Sequence, residues 1–599
     1  MVEWLSYVSR PSRYIGREWN TPSKDWDKAE VKVCLAYPDT YEIGMSYLGY
    51  KILYWYLNSF YWLAVERAFS PWIDAESYIR SQGDFLRSFE SFKPLKEFDF
   101  VGITLQYEMN ATNILTLLDL GGIPIRAEDR EEDAPIVIGG GPGAFTAQVY
   151  APFFDCFLLG DGEESFLELL KLYRDCKKHG LRRSEFLREA DKRFPWLWVP
   201  LISNKKVVKR HIIPDLNEAF YPCVDLVPWS EIVHDRVSIE VFRGCTRGCR
   251  FCQAGMIYRP VRERSLEKVV DLAKSLICST GYEELSLTSL ASCDYSMIES
   301  ALAIIKSEMD KRGMRITFSL PSLRMDAFSI KLADEMINGG RKTTLTFAPE
   351  AGTQRLRNVI NKNLTESDIF RTVEELSKRG WNRVKLYFMV GLPTETDEDI
   401  RGLVSLVKAI HRLGKKFNRR FSLSVSLASF VPKAHTPFQW EGQYSLSYLS
   451  ENLKFIKRSL KGRDIEVHYH DVNLSFLEAV LARGDGRIAS VIERAWKKGA
   501  RFDGWNEALK MDLWFSSFEE EGLDPYWYAQ RKISYSEDLP WDFIDIGISK
   551  DFLISEHRKA IRGKVTEDCR FGSCSLCGVC HKWGIKNEIA AGIQKNRSL

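Results

Sequence analysis

The sequence predicts an α/β protein in which parallel strands alternate with helices. Between residues 236 and 428, short apolar segments alternate with segments of helical periodicity, an order that is typical of parallel sheets. Between residues 31 and 175, glycine-rich segments directly follow apolar runs of strand length. We therefore expect an N-terminal arm (1–30), an α/β domain (31–175), a connecting segment (176–235), a partial parallel barrel (236–445) and a mostly helical C-terminal region with a cysteine loop (446–599).

Six strands and five helices are predicted for the central region. Leu266, Val269 and Ala273 recur at helical spacing behind Ser265, whose hydroxyl can cap the helix. The predicted strands are Arg236–Phe242, Glu284–Ser289, Arg315–Leu320, Thr343–Ala348, Arg383–Val390 and Ser422–Ala428. The predicted helices are Leu266–Ser279, Ser296–Lys311, Ser329–Asn338, Glu366–Arg379 and Glu398–Leu413. Functional groups of parallel barrels lie on the loops that follow the strands.

The first of these loops carries three cysteines, Cys245, Cys249 and Cys252. Three thiolates can hold three irons of a four-iron four-sulfur (4Fe–4S) cluster, and the fourth iron then stays open to a small molecule that receives an electron. A structural zinc ion needs a fourth ligand, and none lies close by in the sequence. The spacing CxxxCxxC, with the aromatic Phe251 before the third cysteine, resembles the radical S-adenosylmethionine (SAM) superfamily.

This resemblance implies an activity and a set of SAM contacts. SAM would be cleaved reductively to methionine and a 5′-deoxyadenosyl radical, with electrons from a low-potential donor such as flavodoxin or ferredoxin. The resemblance places SAM contacts after the second, fourth and fifth strands of the barrel, at Ser289, Glu350, Arg355 and Gly391. A carboxylate such as Glu350 can accept from ribose hydroxyls, and a guanidinium such as Arg355 can pair with the methionyl carboxylate. Helix capping and loop hydrogen bonding are the alternative roles of these residues. Leu287-Thr-Ser-Leu290 replaces the glycine-glycine-glutamate run often found in the superfamily.

A second cysteine set lies near the end of the sequence. Cys569, Cys574, Cys577 and Cys580 place four thiols within twelve residues, which packing does not explain. Four local thiolates form a complete ligand set for a second iron–sulfur cluster or for zinc. We favour iron–sulfur because the chain already requires cluster assembly. A closed site of this kind indicates a structural or electron-transferring role.

Glycine-rich segments follow two of the strands predicted for the N-terminal domain. Gly139, Gly140 and Gly141 come directly after Pro135–Ile138, and Gly160 follows Asp155–Leu159. Such loops let a ligand approach the backbone at the edge of a parallel sheet, although tight turns are an equal alternative. A Rossmann-like domain of this kind before the barrel resembles radical SAM proteins with an N-terminal cobalamin-binding domain. Together with the C-terminal cysteines, it makes the chain similar to an uncharacterised bacterial family of that type.

One departure bears on cobalamin. Many cobalamin domains present a histidine to the lower face of cobalt, but the first histidine of this chain is His179. Cobalamin would therefore bind without histidine on cobalt, or the domain would serve only to recognise substrate. Sulfur insertion fits less well, because a second cluster in this domain needs three thiols and only Cys34 and Cys156 precede Cys176. In the barrel, His435 is a candidate for proton transfer.

Composition places the chain among globular proteins of a reducing compartment. Its 599 residues are 45% hydrophobic and 28% charged, and no apolar run approaches the length of a membrane span. A net charge of +3 shows no bias toward polyanionic partners. Seven of the thirteen cysteines lie in two tight sets, which predicts metal ligands rather than disulfides and a cytoplasmic location. The substrate class stays open between small molecule, RNA and protein, and a non-catalytic iron–sulfur scaffold that binds nucleic acid is the alternative function.

Overall fold

The computed structural model describes residues 3–320, 323–326 and 344–590. Parallel sheets flanked by helices form both the N-terminal and the central regions, which confirms the predicted mixed α/β class. The predicted helix Ser329–Asn338 lies outside the described residues. Among the residues described, no helix is both long and apolar enough to cross a membrane.

The N-terminal sheet has six strands. They are β1 (Val31–Tyr37), β2 (Leu63–Phe69), β3 (Phe100–Thr104), β4 (Ile136–Gly140), β5 (Cys156–Leu158) and β6 (Leu197–Trp198). Their order is β2-β1-β3-β4-β5-β6, and all pairs are parallel except β5 with β6. The direction of winding reverses between β1 and β3, so a crevice opens there at the carboxyl ends of the strands. The helices of this region are Tyr41–Gly44, Leu48–Asn58, Ile73–Gln82, Ala111–Leu120, Gly162–Lys178 and Arg183–Arg193.

Strand β2 is absent from the sequence-based prediction because Glu66 and Arg67 interrupt its apolar run. Both side chains are buried in the structure. Arg67 pairs with Glu18 at 2.5 Å and with Glu90 at 2.7 Å. A buried charge is tolerated when it is paired and hydrogen-bonded, and these partners come from distant parts of the chain. Glu18 belongs to the predicted N-terminal arm, which therefore packs against this sheet.

The central region contains two parallel sheets. Its strands, with short pairs that connect the parts, are β7 (Val208–Lys209), β8 (Val237–Glu240), β9 (Phe242–Arg243), β10 (Arg262–Glu263), β11 (Glu284–Thr288), β12 (Thr317–Ser319), β13 (Leu345–Glu350), β14 (Arg383–Val390), β15 (Ser422–Ser429), β16 (Ile465–Tyr469) and β17 (Ile544–Asp545). One sheet has the order β12-β11-β8 and the other β13-β14-β15-β16. A parallel bridge between Leu323 and Phe347 connects the two. Each of the six predicted strands coincides with a strand of these sheets to within a few residues, while closure as a partial barrel stays a prediction.

Helices cover the parallel strands as the apolar periodicity predicts. They are Gln253–Ile257, Leu266–Thr280, Ile298–Asp310, Gln354–Val359, Glu366–Lys378 and Asp397–Phe417. The predicted cap at Ser265 is present, since its hydroxyl accepts from the Lys268 amide at 3.3 Å. The capping box between Thr365 and Asp368 is also formed.

The alternation of strand and helix continues beyond residue 445, where the sequence predicts a separate helical region. Helix Leu446–Ser459 leads into β16, which pairs in parallel with β15. Ile465, Val467 and Tyr469 alternate with polar residues as in a strand, but this run of five residues is short, and β16 is absent from the sequence-based prediction. The later helices are Val472–Ala482, Ile488–Lys497, Met511–Glu520, Pro525–Gln530, Lys550–Ile561 and Val579–Trp583. Short 3-10 helices lie at Glu3–Tyr7, Pro11–Tyr14, Leu95–Glu97, Glu108–Asn110, Ala127–Asp129, Pro142–Phe153, Ser292–Asp294 and Pro437–Trp440.

Candidate active site

The loop that carries Cys245, Cys249 and Cys252 follows β9 and is called the cluster loop. All three thiols are partly buried, and they line one cavity of about 270 Å³, the cluster cavity, together with Phe251. Burial, with Cys249 as a neighbour, raises the pKa of Cys252 to about 12. Within the described residues, no group of three or more His, Cys, Asp or Glu side chains surrounds a single metal-ion position. The donor set suits a larger group held by three thiolates, as a cluster with an open iron would be.

Glu350 reaches the cluster cavity through an irregularity of β13. The pairing of β13 with β14 shifts register between Phe347 and Glu350, and Glu350 has a φ of 68°. A bulge at the end of a strand re-aims the following side chain, and a non-glycine residue in this left-handed region is uncommon. Glu350 therefore lines the same cavity as the three cysteines, where the superfamily resemblance placed it.

Basic side chains that the sequence analysis does not name also line the cluster cavity. Lys362 pairs with Glu350 at 3.2 Å, and Arg324 pairs with Asp326 at 3.0 Å. Burial opposes the charge of Arg324, but Asp326 and Cys249 outweigh burial and raise its pKa. For Arg324 the available signal was a basic residue four positions after the predicted strand end at Leu320, which many loops share, and Lys362 had no such signal. The structure shows that these two cations face the thiols.

Three other predicted SAM contacts lie outside the residues that line this cavity. Arg355 donates to the Thr394 carbonyl at 2.8 Å and pairs with Asp399. A Cβ at Gly391 would lie 2.7 Å from the side chain of Leu449, so this glycine permits helix packing. Ser289 lines the neighbouring N-terminal cavity instead.

His435 is buried in the core rather than placed at a cavity. Its Nε2 atom lies 3.0 Å from the carbonyl oxygen of Phe145. Burial lowers the pKa of His435 to about 4, so the ring is neutral at neutral pH. It is not among the residues that line the cluster cavity or the N-terminal crevice. Its surroundings give no support to the predicted proton-transfer role.

A second cavity, the N-terminal crevice, lies at the carboxyl ends of β1, β3, β4 and β5. Its volume is about 380 Å³, and its walls are largely apolar. The predicted glycines Gly139–Gly141 and Gly160 line one side, while Phe242, Arg243 and Ser289 line the side toward the central sheets. Leu290 lines both this crevice and the cluster cavity. The two cavities are therefore neighbours.

The glycines of the crevice have different physical roles. A Cβ at Gly160, where φ is 109°, would lie 2.1 Å from the carbonyl oxygen of His211, so this glycine permits close approach of another segment. At Gly141, where φ is 99°, a Cβ would lie 2.9 Å from the Leu105 carbonyl oxygen. At Gly140, in contrast, no atom lies within 4 Å of a Cβ position. Of these three, only Gly140 has open space before it.

Arg243 lies two residues before Cys245 in the sequence and connects the crevice to the cluster loop. It pairs with Asp161 at 2.9 Å, with Glu163 at 2.7 Å and with Glu240 at 3.0 Å. Burial opposes ionisation of Asp161, but Arg243 and Arg262 outweigh it and hold the pKa of this carboxyl below its usual range. The Gly160–Gly162 loop is thus fixed electrostatically to the strand that leads into the cluster loop.

The C-terminal cysteine loop, Cys569–Cys580, packs beside the cluster loop. Arg247 of the cluster loop pairs with Asp568 at 3.3 Å. Burial raises the pKa of Cys580, and its neighbours Cys577, Cys569 and Cys574 raise it further.

The guanidinium of Arg259 lies between the two cysteine sets. Burial alone would lower the pKa of Arg259, but Cys577, Cys569 and Cys245 outweigh burial and raise it. The fold therefore brings together two sets of thiols that are more than 300 residues apart in the sequence.

Comparison with known proteins agrees with this geometry. Residues 49–200 match the family of radical SAM proteins, N-terminal, and residues 239–407 match the radical SAM superfamily. An uncharacterized protein of Methanocaldococcus jannaschii is 30% identical over 494 residues, which are 82% of this chain and 97% of that protein. The chain belongs to the radical SAM superfamily. Membership implies a 4Fe–4S cluster, SAM and a reductant, and it makes the chain a radical SAM enzyme.

Relatives with named activities are more distant. The ribosomal protein uS12 methylthiotransferase of Thermosipho africanus is 24% identical over 373 residues, which are 58% of this chain and 82% of that enzyme. The anaerobic magnesium-protoporphyrin IX monomethyl ester cyclase of Cereibacter sphaeroides is 23% identical over 262 residues, which are 42% of this chain and 40% of the cyclase. Both matches are similarities and do not define the substrate of this radical SAM enzyme.

Proposed function

We propose that this enzyme cleaves SAM at a 4Fe–4S cluster held by Cys245, Cys249 and Cys252 and directs the resulting radical to a substrate in the N-terminal crevice. The observation that carries the proposal is the shared wall at Leu290, which separates the cluster cavity from the crevice. A radical formed at the cluster cavity would then have only a short distance to travel. This proximity supports substrate binding in the crevice.

The chain's own residues supply binding and orientation in the cluster cavity. A reduced cluster, when bound, supplies one electron to SAM, which yields methionine and a 5′-deoxyadenosyl radical. Lys362 and Arg324 line the cluster cavity and offer cations to the methionyl carboxylate. Glu350 offers acceptors to the ribose hydroxyls or the amino group. We propose these residues in place of Arg355, because they line the cluster cavity and Arg355 is not among its lining residues.

The crevice has dimensions that suit a small organic substrate. Its volume of about 380 Å³ lies in the range of roughly 300–1,000 Å³ that is usual for small-molecule sites. Apolar walls and a few charged groups at one edge favour a flat, mostly apolar substrate with a polar end. Sulfur insertion receives no support from this domain, because Cys34 and Cys156 are buried within β1 and β5.

Cobalamin is the second candidate ligand of the crevice, and methyl transfer is the reaction it would support. The winding reversal between β1 and β3 and the open space at Gly140 favour a ligand that approaches the strand ends. His211 packs against the Gly160 loop, with its Nδ1 3.2 Å from the Asp161 carbonyl oxygen. Among the described residues that line the crevice there is no histidine. Cobalamin bound here would therefore lack a histidine on cobalt. This proposal is tested by saturating the protein with cobalamin and recording the electron paramagnetic resonance spectrum of the reduced cobalt. A spectrum with nitrogen coupling would contradict the proposal that cobalt lacks a histidine ligand. If cobalamin does not bind at all, the domain would serve to recognise substrate.

The cluster assignment is tested by replacing Cys245, Cys249 and Cys252 together with Ala. After anaerobic reconstitution and reduction with dithionite, the variant should form no 5′-deoxyadenosine from SAM. The matched control is Cys223→Ala with Cys278→Ala, since both cysteines are exposed and outside the two sets. Cleavage of SAM by the triple variant would overturn the assignment. A wild-type protein that binds a cluster but never forms 5′-deoxyadenosine would support the non-catalytic scaffold.

The C-terminal cysteine loop is proposed to hold a second iron–sulfur cluster. Its four thiols influence one another and lie beside the cluster loop. Metal analysis of the variant that lacks Cys245, Cys249 and Cys252 isolates this site. About four irons per chain would support a cluster, about one zinc would indicate a structural ion, and the absence of metal would end the proposal.

A further inference from the structure

A basic surface lies at the end of helix Lys550–Ile561. It consists of Arg558, Lys559, Arg562 and Lys564, which line a concavity of about 500 Å³. Asp551 is the one acidic residue that lines the same concavity. The residues Ile561 and Val565 beside it are 48% and 50% exposed. Arginine is enriched at protein interfaces, and two of these four cations are arginines.

The charge of this surface is available to a partner. Arg558, Arg562 and Lys564 are exposed, and in the described part of the chain no ion pair involves them. Arg558 lies over the ring of Tyr535, which leaves its positive charge uncompensated. Lys559 differs, because it pairs with Glu556 at 2.8 Å. The surface therefore presents an excess of positive charge in a chain whose net charge is only +3.

One buried side chain connects this surface to the cluster loop. Arg250 stands between Cys249 and Cys252, and its side chain is fully buried. Its Nη2 donates to the Lys564 carbonyl oxygen at 2.7 Å and to Glu556 Oε2 at 3.1 Å. A single guanidinium therefore spans from the thiol loop to the backbone of the basic surface. The cluster loop and the basic surface are close enough for a direct path between them.

We propose that the basic surface docks an acidic one-electron carrier protein that reduces the cluster. The inference rests on the proposed function, since reductive cleavage of SAM requires such a donor. One electron leaves the reduced carrier and enters the cluster, and it then passes to the sulfonium of SAM, whose C–S bond breaks to give methionine and the carbon radical. The carrier departs oxidised by one electron. Charge complementarity between a positive patch and an acidic partner steers association and fixes the docking orientation.

The test compares two variants that change the net charge equally. Arg558→Glu, Arg562→Glu and Lys564→Glu together reverse the basic surface. The control reverses Arg401, Lys408 and Arg412, three exposed residues of helix Asp397–Phe417. SAM cleavage is measured in each reconstituted holoenzyme with two reductants, dithionite and a reduced acidic flavodoxin. Calorimetry measures the binding of oxidised flavodoxin to the same preparations at low and at high salt.

The two reductants separate docking from chemistry. We expect dithionite-driven cleavage to stay within about twofold of the wild type in both variants, while flavodoxin-driven cleavage falls at least about 10-fold in the surface variant alone. Flavodoxin binding should weaken in parallel at low salt, and high salt should remove the difference. An unchanged flavodoxin-driven rate would overturn the proposal. If wild-type protein fails with dithionite as well, the proposed function itself fails.

Two further measurements test whether the basic surface binds nucleic acid instead and whether the triple variant is still folded. Binding of a single-stranded RNA oligonucleotide that depends on the basic surface, with an unchanged flavodoxin-driven rate, would reassign the surface to nucleic acid and overturn the proposal. The double variant Arg562→Gln and Lys564→Gln removes charge without reversal at two exposed positions. It should lower the flavodoxin-driven rate in the same direction, and it replaces the triple variant if near-ultraviolet circular dichroism shows that the triple variant has lost its packing.

Discussion

Replacing Arg243 with Met should loosen the connection between the N-terminal crevice and the cluster loop. Arg243 pairs with Asp161, Glu163 and Glu240, and its side chain is only 12% exposed. Methionine keeps an unbranched apolar stem but removes the cation. Three carboxylates that the fold places around one guanidinium then lose that partner.

The expected cost follows from what remains after the substitution. Removing one member of a buried ion pair costs about 3–5 kcal/mol. Asp161 keeps Arg262 at 2.8 Å, and Glu240 keeps Arg264 at 3.3 Å. Glu163, whose side chain is 9% exposed, loses its ion pair with Arg243. We therefore expect the lower end, about 3 kcal/mol, which corresponds to a rise of roughly 100-fold or more in the local opening constant.

Amide hydrogen exchange measures this local opening without requiring that the whole chain unfold in one step. In the Arg243→Met variant, amide exchange in residues 160–163 and 241–246 should accelerate by roughly 100-fold or more. The matched control is Arg236→Met, because Arg236 and Glu284 pair at 2.8 Å with side chains 21% and 35% exposed. This pair is much less buried than that of Arg243, and ion pairs near the surface contribute about 1 kcal/mol or less. Equal acceleration in the two variants would refute the reasoning, and Glu163→Gln added to Arg243→Met should recover part of the loss.

Three other perturbations have outcomes that follow from the structure. Burial raises the pKa of Glu395 from 4.5 to about 7, so the native state keeps a proton that the unfolded state releases, and stability should fall as pH rises through this window. The Glu395→Gln variant should lose about 3 kcal/mol less of its free energy of unfolding than the wild type over this pH range. If urea unfolding gives the same pH dependence for the variant and the wild type, the raised pKa of Glu395 is contradicted. Gly160→Ala should destabilise the chain because its Cβ meets a carbonyl oxygen at 2.1 Å, whereas Gly140→Ala should not, and equal melting temperatures would reject the difference. Glu350→Gln should weaken SAM binding by about 10-fold or more, since a hydrogen bond to a charged group contributes about 1.5–3 kcal/mol, and equilibrium dialysis that finds wild-type affinity would exclude the contact.

The central strands and helices could be predicted from the sequence because their signals are local. Apolar periodicity sets the face of helix Leu266–Thr280, and Thr365 with Asp368 caps helix Glu366–Lys378 from within three residues. The spacing of the three cluster-loop cysteines is also local, and their chemistry follows from it. Strand β2 was missed because its buried Arg67 depends on Glu18 and Glu90, which lie far away in the sequence.

The choice of cations around the thiols depended on tertiary structure. Arg355 and Arg324 both follow strand ends, and nothing in their local sequence distinguishes them. The fold directs Arg355 to Asp399 on helix Asp397–Phe417, whereas Arg324, which pairs with Asp326, lines the cluster cavity with Cys249. A side chain of this length reaches many partners, so the nearest opposite charge decides its direction. Only the packed structure shows which charge is nearest.

The sequence by itself determined the superfamily and the order of the central strands and helices, and it predicted the cluster ligands, because each follows from short-range spacing. Tertiary structure decided what those parts face. It separated Gly140, which opens onto the crevice, from Gly160, which permits contact with His211. It also brought the C-terminal cysteine loop beside the cluster loop through Arg247 and Asp568. Contacts between residues hundreds of positions apart depend on how whole elements pack, and periodicity within one element carries no information about them.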